Sequence, residues 1–425
     1  NFPIMMISNI NLLGQGEELT ILDAEQTDRV ITMYGCENNI ISDLAITGGD
    51  ALDVDEEEEG LGGGMFIEFS NPTLTHVTIA ENIAKYGGGM TLYTSNPTLT
   101  HVTINVNTAN RSGGGMQLEY SDPTLTHVTI TDNTTAGGGG AGMRLKYSDP
   151  ILDNVTISGN TANTNGGGMD VEDSNPTLTY VNISGNTARN GHGGGMNVND
   201  SNPTLTHVTI NGNTSDEEGG GIYLEGGEPI LTHMTMANNT AQSGGGMYLT
   251  NSDPIFTHVT IAYNTAYYGG GMVSADVYSI FTHVTIWGNI ANYGGGMFIK
   301  HSNPTLIHMT IANNMATSNG GGIILDIIEF EPSPTITNSI IWGNTTEIWG
   351  NNSEQIYFWD DVQPAPTITY SDIGGGFEGE GNIDDDPLFN DNFTLQDGSP
   401  CIDTGTADLD GDGVEDITDY YGTAP

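Results

Sequence analysis

The chain has 425 residues, with 60 Gly, 17 Pro, 54 acidic and only 7 basic side chains, for a formal net charge of -47. So few cations cannot neutralise a phosphate backbone, which excludes nucleic acid and anionic membrane surfaces as main partners and leaves cations, neutral or acidic partners and the chain itself. A hydrophobic content of 36% is thin for one large round core and fits an elongated solenoid, in which each layer buries only a few side chains.

No apolar run approaches the roughly 18 residues that a spanning helix needs, so no membrane insertion is expected in this segment. The sequence begins at Asn1 with neither an initiator Met nor a leader, the form expected of a processed or truncated chain. Residues 1–62 are predicted to form N-terminal β-helix coils, and the acidic run Asp53 to Glu59 among them reads as a solvated loop.

From 62 to 345 the chain repeats. A Gly-Gly-Gly-Met or Gly-Gly-Gly-Ile tetrad, or a close variant, ends at Met65, Met90, Met116, Met143, Met169, Met196, Ile222, Met247, Met272, Met297 and Ile323, at intervals of 25 to 27 residues. A short, even period of this kind means stacked identical layers rather than independent domains. Within a layer the pattern is GGGMxL, a Ser-Asn-Pro or Ser-Asp-Pro turn, TLTHVTI, an Asn, then Thr-Ala and glycine again.

Apolar-polar alternation predicts three short strands per layer. Around Met90, the side chains of Met90, Leu92, Leu99, Val102 and Ile104 point inward, while Thr91, Tyr93, Thr98, Thr100 and Thr103 point outward. Three strands separated by turns make a triangular coil, and stacked coils make an all-β parallel β-helix. At the last corner an Asn recurs in every copy, from Asn82 and Asn107 to Asn314 and Asn344, and is expected to form a structural ladder of stacked amides.

These GGGM and NxA repeats resemble the coils of secreted bacterial right-handed parallel β-helix proteins of the pectate-lyase-like superfold. They are also similar to the repeats of the polymorphic outer-membrane protein family. The resemblance covers nearly the whole chain, with NFPIMMISNINLLGQGEELTILDAEQ looking like first coils and SDIGGGFEGEGNIDDDPLFNDNFTLQDGSPCIDTG like a closing segment. It implies export and surface display, but no single activity, because the superfold hosts lyases, hydrolases, adhesins and passive stalks.

Residues 346–403 read as irregular C-terminal coils or a cap, and 404–425 as an acidic, calcium-loop-like tail. In DLDGDGVEDITD, Asp408, Asp410 and Asp412 fall at loop positions 1, 3 and 5, the Val414 carbonyl at 7, Asp416 at 9 and Asp419 at 12. This is the spacing by which a hard cation gathers oxygens, and it resembles dockerin-type loops. Structural calcium is the expected cofactor.

For chemistry, the outward face of the GGGMxL strand offers Glu119, Arg144, Lys146, Asp170 and Glu172 from three successive coils. A basic side chain there could act on a carbon acidified by a calcium-bound uronate, and the carboxylates could serve as an acid/base pair. Cross-coil ion pairing is the structural alternative, and no lyase motif is matched.

Three other columns stand out. Eight histidines, His76 to His308, align at one corner, where Asn154 and Tyr180 replace two of them; a stacked structural column is favoured over metal binding. Thr pairs such as Thr98/Thr100 resemble ice-binding arrays but are interrupted, which favours ordinary β packing. Tyr86, Tyr267, Tyr268 and Tyr293 at the Gly corner could stack on sugars. Cys36 and Cys401 lie near opposite ends of the predicted rod, on the order of 50 Å apart and beyond the limit for a bridge within one chain, so each is expected to be a free thiol.

The regularity and the lack of a catalytic motif predict an extracellular or cell-surface structural or adhesive solenoid, able to assemble end to end with itself. The competing reading is a polysaccharide-binding or polysaccharide-degrading β-helix acting through the face around Arg144.

Overall fold

The computed structural model describes residues 2–52, 60–326, 334–347, 355–359, 365–391 and 393–406. The predicted calcium loop, Asp408 to Asp419, and the acidic run Asp53 to Glu59 lie outside the described residues. The chain divides into two compact units, Asn1–Gln242 and Ser243–Pro425. Among the described residues both are built of parallel strands without a helix, and no helix is long and apolar enough to cross a membrane.

In the first unit, the Gly-Met strands form one parallel front sheet, including Met90–Tyr93, Met116–Glu119, Met143–Lys146, Met169–Glu172, Met196–Asn199 and Ile222–Glu225. Its register is strict: Met116 pairs with Met143, Gln117 with Arg144, Leu118 with Leu145 and Glu119 with Lys146. The TLTHVTI segments form a second sheet. They are continuous in Thr73–Ala80 and Thr98–Asn105 and split at the histidine in later coils, as in Thr124–Thr126 and Thr129–Thr131. A short additional strand at Thr-Ala, such as Thr161–Ala162 and Thr187–Ala188, supplements the three strands read from the pattern. The second unit repeats the plan, with Met247–Thr250, Met272–Ala275, Met297–Lys300, Ile323–Asp326 and Ile356–Phe358 in its front sheet.

The interior follows the alternation. Met90, Leu92, Leu99 and Ile104 are fully buried, and Val102 almost so. The corner asparagines are equally buried, and each does the same work. In the first unit Asn133 Nδ2 donates to Asn160 Oδ1 at 3.0 Å and to the Ile104 carbonyl at 3.0 Å, while its backbone N–H shares the same Asn160 oxygen at 2.9 Å. In the second unit the ladder runs Asn264 to Asn289 to Asn314 to Asn344 and ends on Gln355 Oε1.

A second buried ladder comes from the serine of Ser-Asn/Asp-Pro. Ser148 Oγ accepts from the Ser121 backbone N–H and donates to the Lys146 carbonyl. The Gly triplet answers a spatial demand: a Cβ on Gly115 would stand 2.6 Å from the Gly142 carbonyl oxygen of the adjacent coil.

The expected result of Asn160→Ala is a loss of about 1–3 kcal/mol, because Asn133 then keeps two buried N–H groups without an acceptor. Neighbouring coils carry the coupling in a solenoid, so hydrogen exchange should speed up first in the coils around Asn133 and Asn186.

Candidate functional site

Every residue of the histidine column has a left-handed backbone. In the first unit His76, His101, His127, Asn154, Tyr180, His207 and His233 have φ between 51° and 54°. Asn and His tolerate this conformation better than most side chains, which explains why Asn154 substitutes there. The rings stack along the coil axis, with centroids 5.1 Å apart for His76 and His101 and 5.0 Å for His101 and His127, at interplanar angles of 14° and 15°. Imidazole lone pairs lie in the ring plane, so rings stacked in this way do not converge on one ion. Face-to-face stacking of this kind suits a structural column.

In the second unit, burial and the adjacent His283 push His308 down to about 4, and burial and His258 lower His283.

The x position of GGGMxL faces outward from the coil, as the alternation predicts, but it is not an open face. The glycine corners fold over it. In the first unit Thr91, Gln117, Asp170, Asn197 and Tyr223 along this row are all buried. In the second unit the same row is apolar: Val273, Phe298 and Ile324, with Ala275, form a small external core packed against Tyr248, Tyr268, Tyr293, Tyr357 and Trp359. Tyr268 and Tyr293 are therefore largely committed to packing, and Tyr267 remains exposed.

Four of the five strand-face candidates meet in the first unit. Arg144 Nη1 lies 3.3 Å from Asp170 Oδ2, its Nη2 bonds Glu172 Oε2, and Lys146 Nζ lies 3.7 Å from Glu172 Oε1. Glu119 is the register partner of Lys146, but the Lys146 ammonium turns the other way, to Glu172.

Asp170 is the recessed member, with its side chain 11% exposed. The extended corner Thr135 to Gly140 passes over it so closely that a Cβ on Gly139 would stand 2.6 Å from Asp170 Oδ2. Burial raises the Asp170 carboxyl above the usual range, only partly offset by Arg144 and by the 2.7 Å bond from Asn197 Nδ2. Burial also pushes Glu172 upward, but its bond to Arg144 and the charges of Arg144 and Lys146 outweigh it and hold this carboxyl low. Two carboxylates two residues apart on one strand thus titrate in opposite directions.

Two further features escaped the sequence pattern. The first is an aromatic stripe. Tyr34, Phe69, Tyr93, Tyr120 and Tyr147 follow one another coil by coil, with centroids 5.9, 6.5, 6.0 and 5.1 Å apart. Tyr34 is 64% exposed and Phe69 and Tyr120 are each 50% exposed. Lys146 Nζ sits 5.4 Å above the Tyr147 ring, which joins the stripe to the ion cluster. Tyr34 and Tyr93 end their strands, whereas Phe69, Tyr120 and Tyr147 occupy the next, left-handed position. No single repeat position carries the stripe, so only its recurrence near Ser-Asn/Asp-Pro could have signalled it.

The second feature is His192 at a glycine corner, with Nε2 3.3 Å from Glu217 Oε2 and Nδ1 2.5 Å from Glu218 Oε2. The bond to Glu218 raises its pKa against the effect of burial. Both cysteines are free: Cys36 is buried, and Cys401 Sγ lies 3.0 Å from Asp372 Oδ2, where burial and that carboxylate push the thiol up to about 12.

The chain belongs to the right-handed β-helix family, whose model, the right handed beta helix region, matches residues 18–214 and 199–361. Among solved structures it is similar to the catalytic domain of a GH87 alpha-1,3-glucanase in complex with nigerose, at 14% identity and a TM-score of 0.33, covering 88% of this chain and 62% of that one. It is also similar to a mannuronic acid specific polysaccharide family 6 lyase from human gut microbiota, at 12% identity and a TM-score of 0.38, covering 82% of this chain and 86% of that one. The chain thus spans less than two thirds of the glucanase chain. No curated protein matches it.

The depressed values of His283 and His308 fix the sign of a pH effect. Both are neutral when folded and bind protons more readily when unfolded, so their contribution is present above the ordinary imidazole range and is lost as pH falls from about 6.5 toward about 4. Urea midpoints between pH 7 and pH 4 should fall for the natural chain and fall less for His308→Asn, which keeps a side chain suited to the left-handed backbone.

Proposed function

We propose that the chain is a polysaccharide-binding β-helix whose ligand lies along the Tyr34 to Tyr147 stripe, with glycosidic-bond chemistry at Asp170 and Glu172. The observation that carries this reading is the run of aromatic rings, four of the five exposed and Tyr93 half-buried, leading, one per coil, into a cluster of paired charges. Water does not favour a row of bare rings, and such exposed apolar strips mark binding surfaces. A pyranose presents an apolar C–H face to an aromatic ring and hydroxyls to the flanking polar groups, so a linear glycan suits a stripe with a regular repeat.

The charges select among glycans. A net charge of -47 repels a polyuronate, and Arg144 and Lys146 are both ion-paired with Glu172, so neither is free as a lyase base. An uncharged polysaccharide fits better. The opposed shifts of the two carboxyls suit hydrolysis: in this reading Asp170, raised by burial, is the proton donor and Glu172, lowered by Arg144 and Lys146, the base or nucleophile. Binding along the stripe also serves adhesion to a glycan surface. Turnover is what separates an enzyme from an adhesin here.

The experiment is retention of the chain on a panel of neutral insoluble polysaccharides, followed by assay of released reducing ends. Tyr120→Ala and Tyr147→Ala should each weaken binding about tenfold, the effect of losing about 1.4 kcal/mol. Asp170→Asn and Glu172→Gln should retain binding and lower cleavage at least about 100-fold. Retention that survives both tyrosine substitutions would end the binding proposal; binding without any cleavage would remove the hydrolytic part.

A further inference from the structure

We propose that His192, Glu217 and Glu218 form a divalent-cation site of the zinc type, in addition to and independent of the glycan stripe. One ligand atom from each of the three residues lies within 4.8 Å of the others; Glu217 sits beside Nε2 and Glu218 beside Nδ1, so an ion on Nε2 takes Glu217 nearly as it stands and Glu218 once its partly exposed side chain turns toward it. The 3.3 Å separation of His192 Nε2 and Glu217 Oε2 is close to the edge of a tetrahedron whose metal–ligand bonds are about 2.0–2.1 Å. One imidazole and two carboxylates leave a position open, as zinc sites with three protein ligands do.

The imidazole is held in place before any ion arrives. Its ring stacks on Tyr223 at 4.6 Å and 21°, and its backbone N–H donates to Asn165 Oδ1 at 3.0 Å. Tyr223 is itself fixed by its hydroxyl, 3.2 Å from Glu225 Oε2. Glu217 and Glu218 come from the corner that precedes the Tyr223 strand and reach the ring from its two nitrogen sides.

A second observation stands one register position away. Asn197 pairs with Tyr223 across the front sheet, commits its Nδ2 to Asp170 and keeps a fully buried Oδ1 without a hydrogen-bond partner. A water on the cation supplies the donor that this oxygen lacks. The remaining ligand positions face solvent, since the Glu217 side chain is 51% exposed.

The site is separate in chemistry from the Asp408 to Asp419 loop. That loop offers oxygens only and suits a hard cation, whereas an imidazole nitrogen favours a first-row transition ion. The test is titration of the chelator-stripped full chain with Zn²⁺ by calorimetry in millimolar Ca²⁺, with Co²⁺ absorption as a second readout of coordination by nitrogen and oxygen.

One equivalent of Zn²⁺ at micromolar affinity or tighter is expected, with visible Co²⁺ bands of a four-coordinate site. His192→Ala should weaken binding at least about 100-fold and abolish those bands. Glu217→Gln, at a half-exposed position that the fold does not need, should weaken it at least about tenfold while leaving the unfolding temperature in chelator unchanged. Equal Zn²⁺ affinity in Glu217→Gln and the natural chain, or the absence of a saturable equivalent below millimolar Zn²⁺, would overturn the proposal.

Discussion

Each coil has to lie directly on the one before it, and the buried amide ladder makes that possible. A polar corner sealed inside a stack has no water, so its N–H groups need acceptors at the coil spacing and nowhere else. Asn Oδ1 takes two such N–H groups from one neighbouring coil while its own Nδ2 reaches a main-chain carbonyl and the next amide. This requirement fixes the residue at the corner and the register of the strands on either side. The tetrad glycines follow from it, because carbonyls brought this close leave no room for a Cβ.

With the inside fully specified, variation is confined to what projects from the coils. The two units use the same projecting row differently. In the second, Val273, Phe298 and Ile324 make an external apolar layer roofed by tyrosines and Trp359. In the first, Arg144, Asp170 and Asn197 stand at equivalent positions beneath the glycine corners, and burial there costs charge its solvation. A charged cluster in such a place adds little to stability that an apolar side chain could not add. That disparity is the ground for proposing a function at this row.

The architecture was legible because its signals are redundant. The tetrads, the buried asparagines and the alternation each gave the same coil. The site was legible only in part. Alternation tells which side of a strand a residue leaves from, but not what lies above it. Asp170 therefore read as exposed, although the corner from Thr135 to Gly140 covers it; the extra glycines before Met143 were the visible trace of that cover.

The aromatic stripe was hidden for another reason. Its five members sit at two neighbouring positions around a left-handed turn, so a search by fixed period scatters them. His192, Glu217 and Glu218 come from corner segments whose length and sequence change from coil to coil, where a repeat consensus carries no information.

The charge balance connects these features. A chain so poor in Lys and Arg spends two of its seven cations on one strand, and carboxylates answer both. If Arg144 served only to fasten coils together, the regular coils on either side, which hold their register through Asn and Ser ladders, would need such a fastener as well. The two coils before it carry none at the equivalent positions, where Thr91 Oγ1 donates to the Tyr86 carbonyl and Gln117 Oε1 accepts from Ser112 Oγ. Arg144 lowers both carboxyls, but burial outweighs it at Asp170 and not at Glu172, so the two carboxyls on one strand shift in opposite directions. An opposed pair of this kind is what the proposed glycosidic chemistry draws on, a proton donor beside a base.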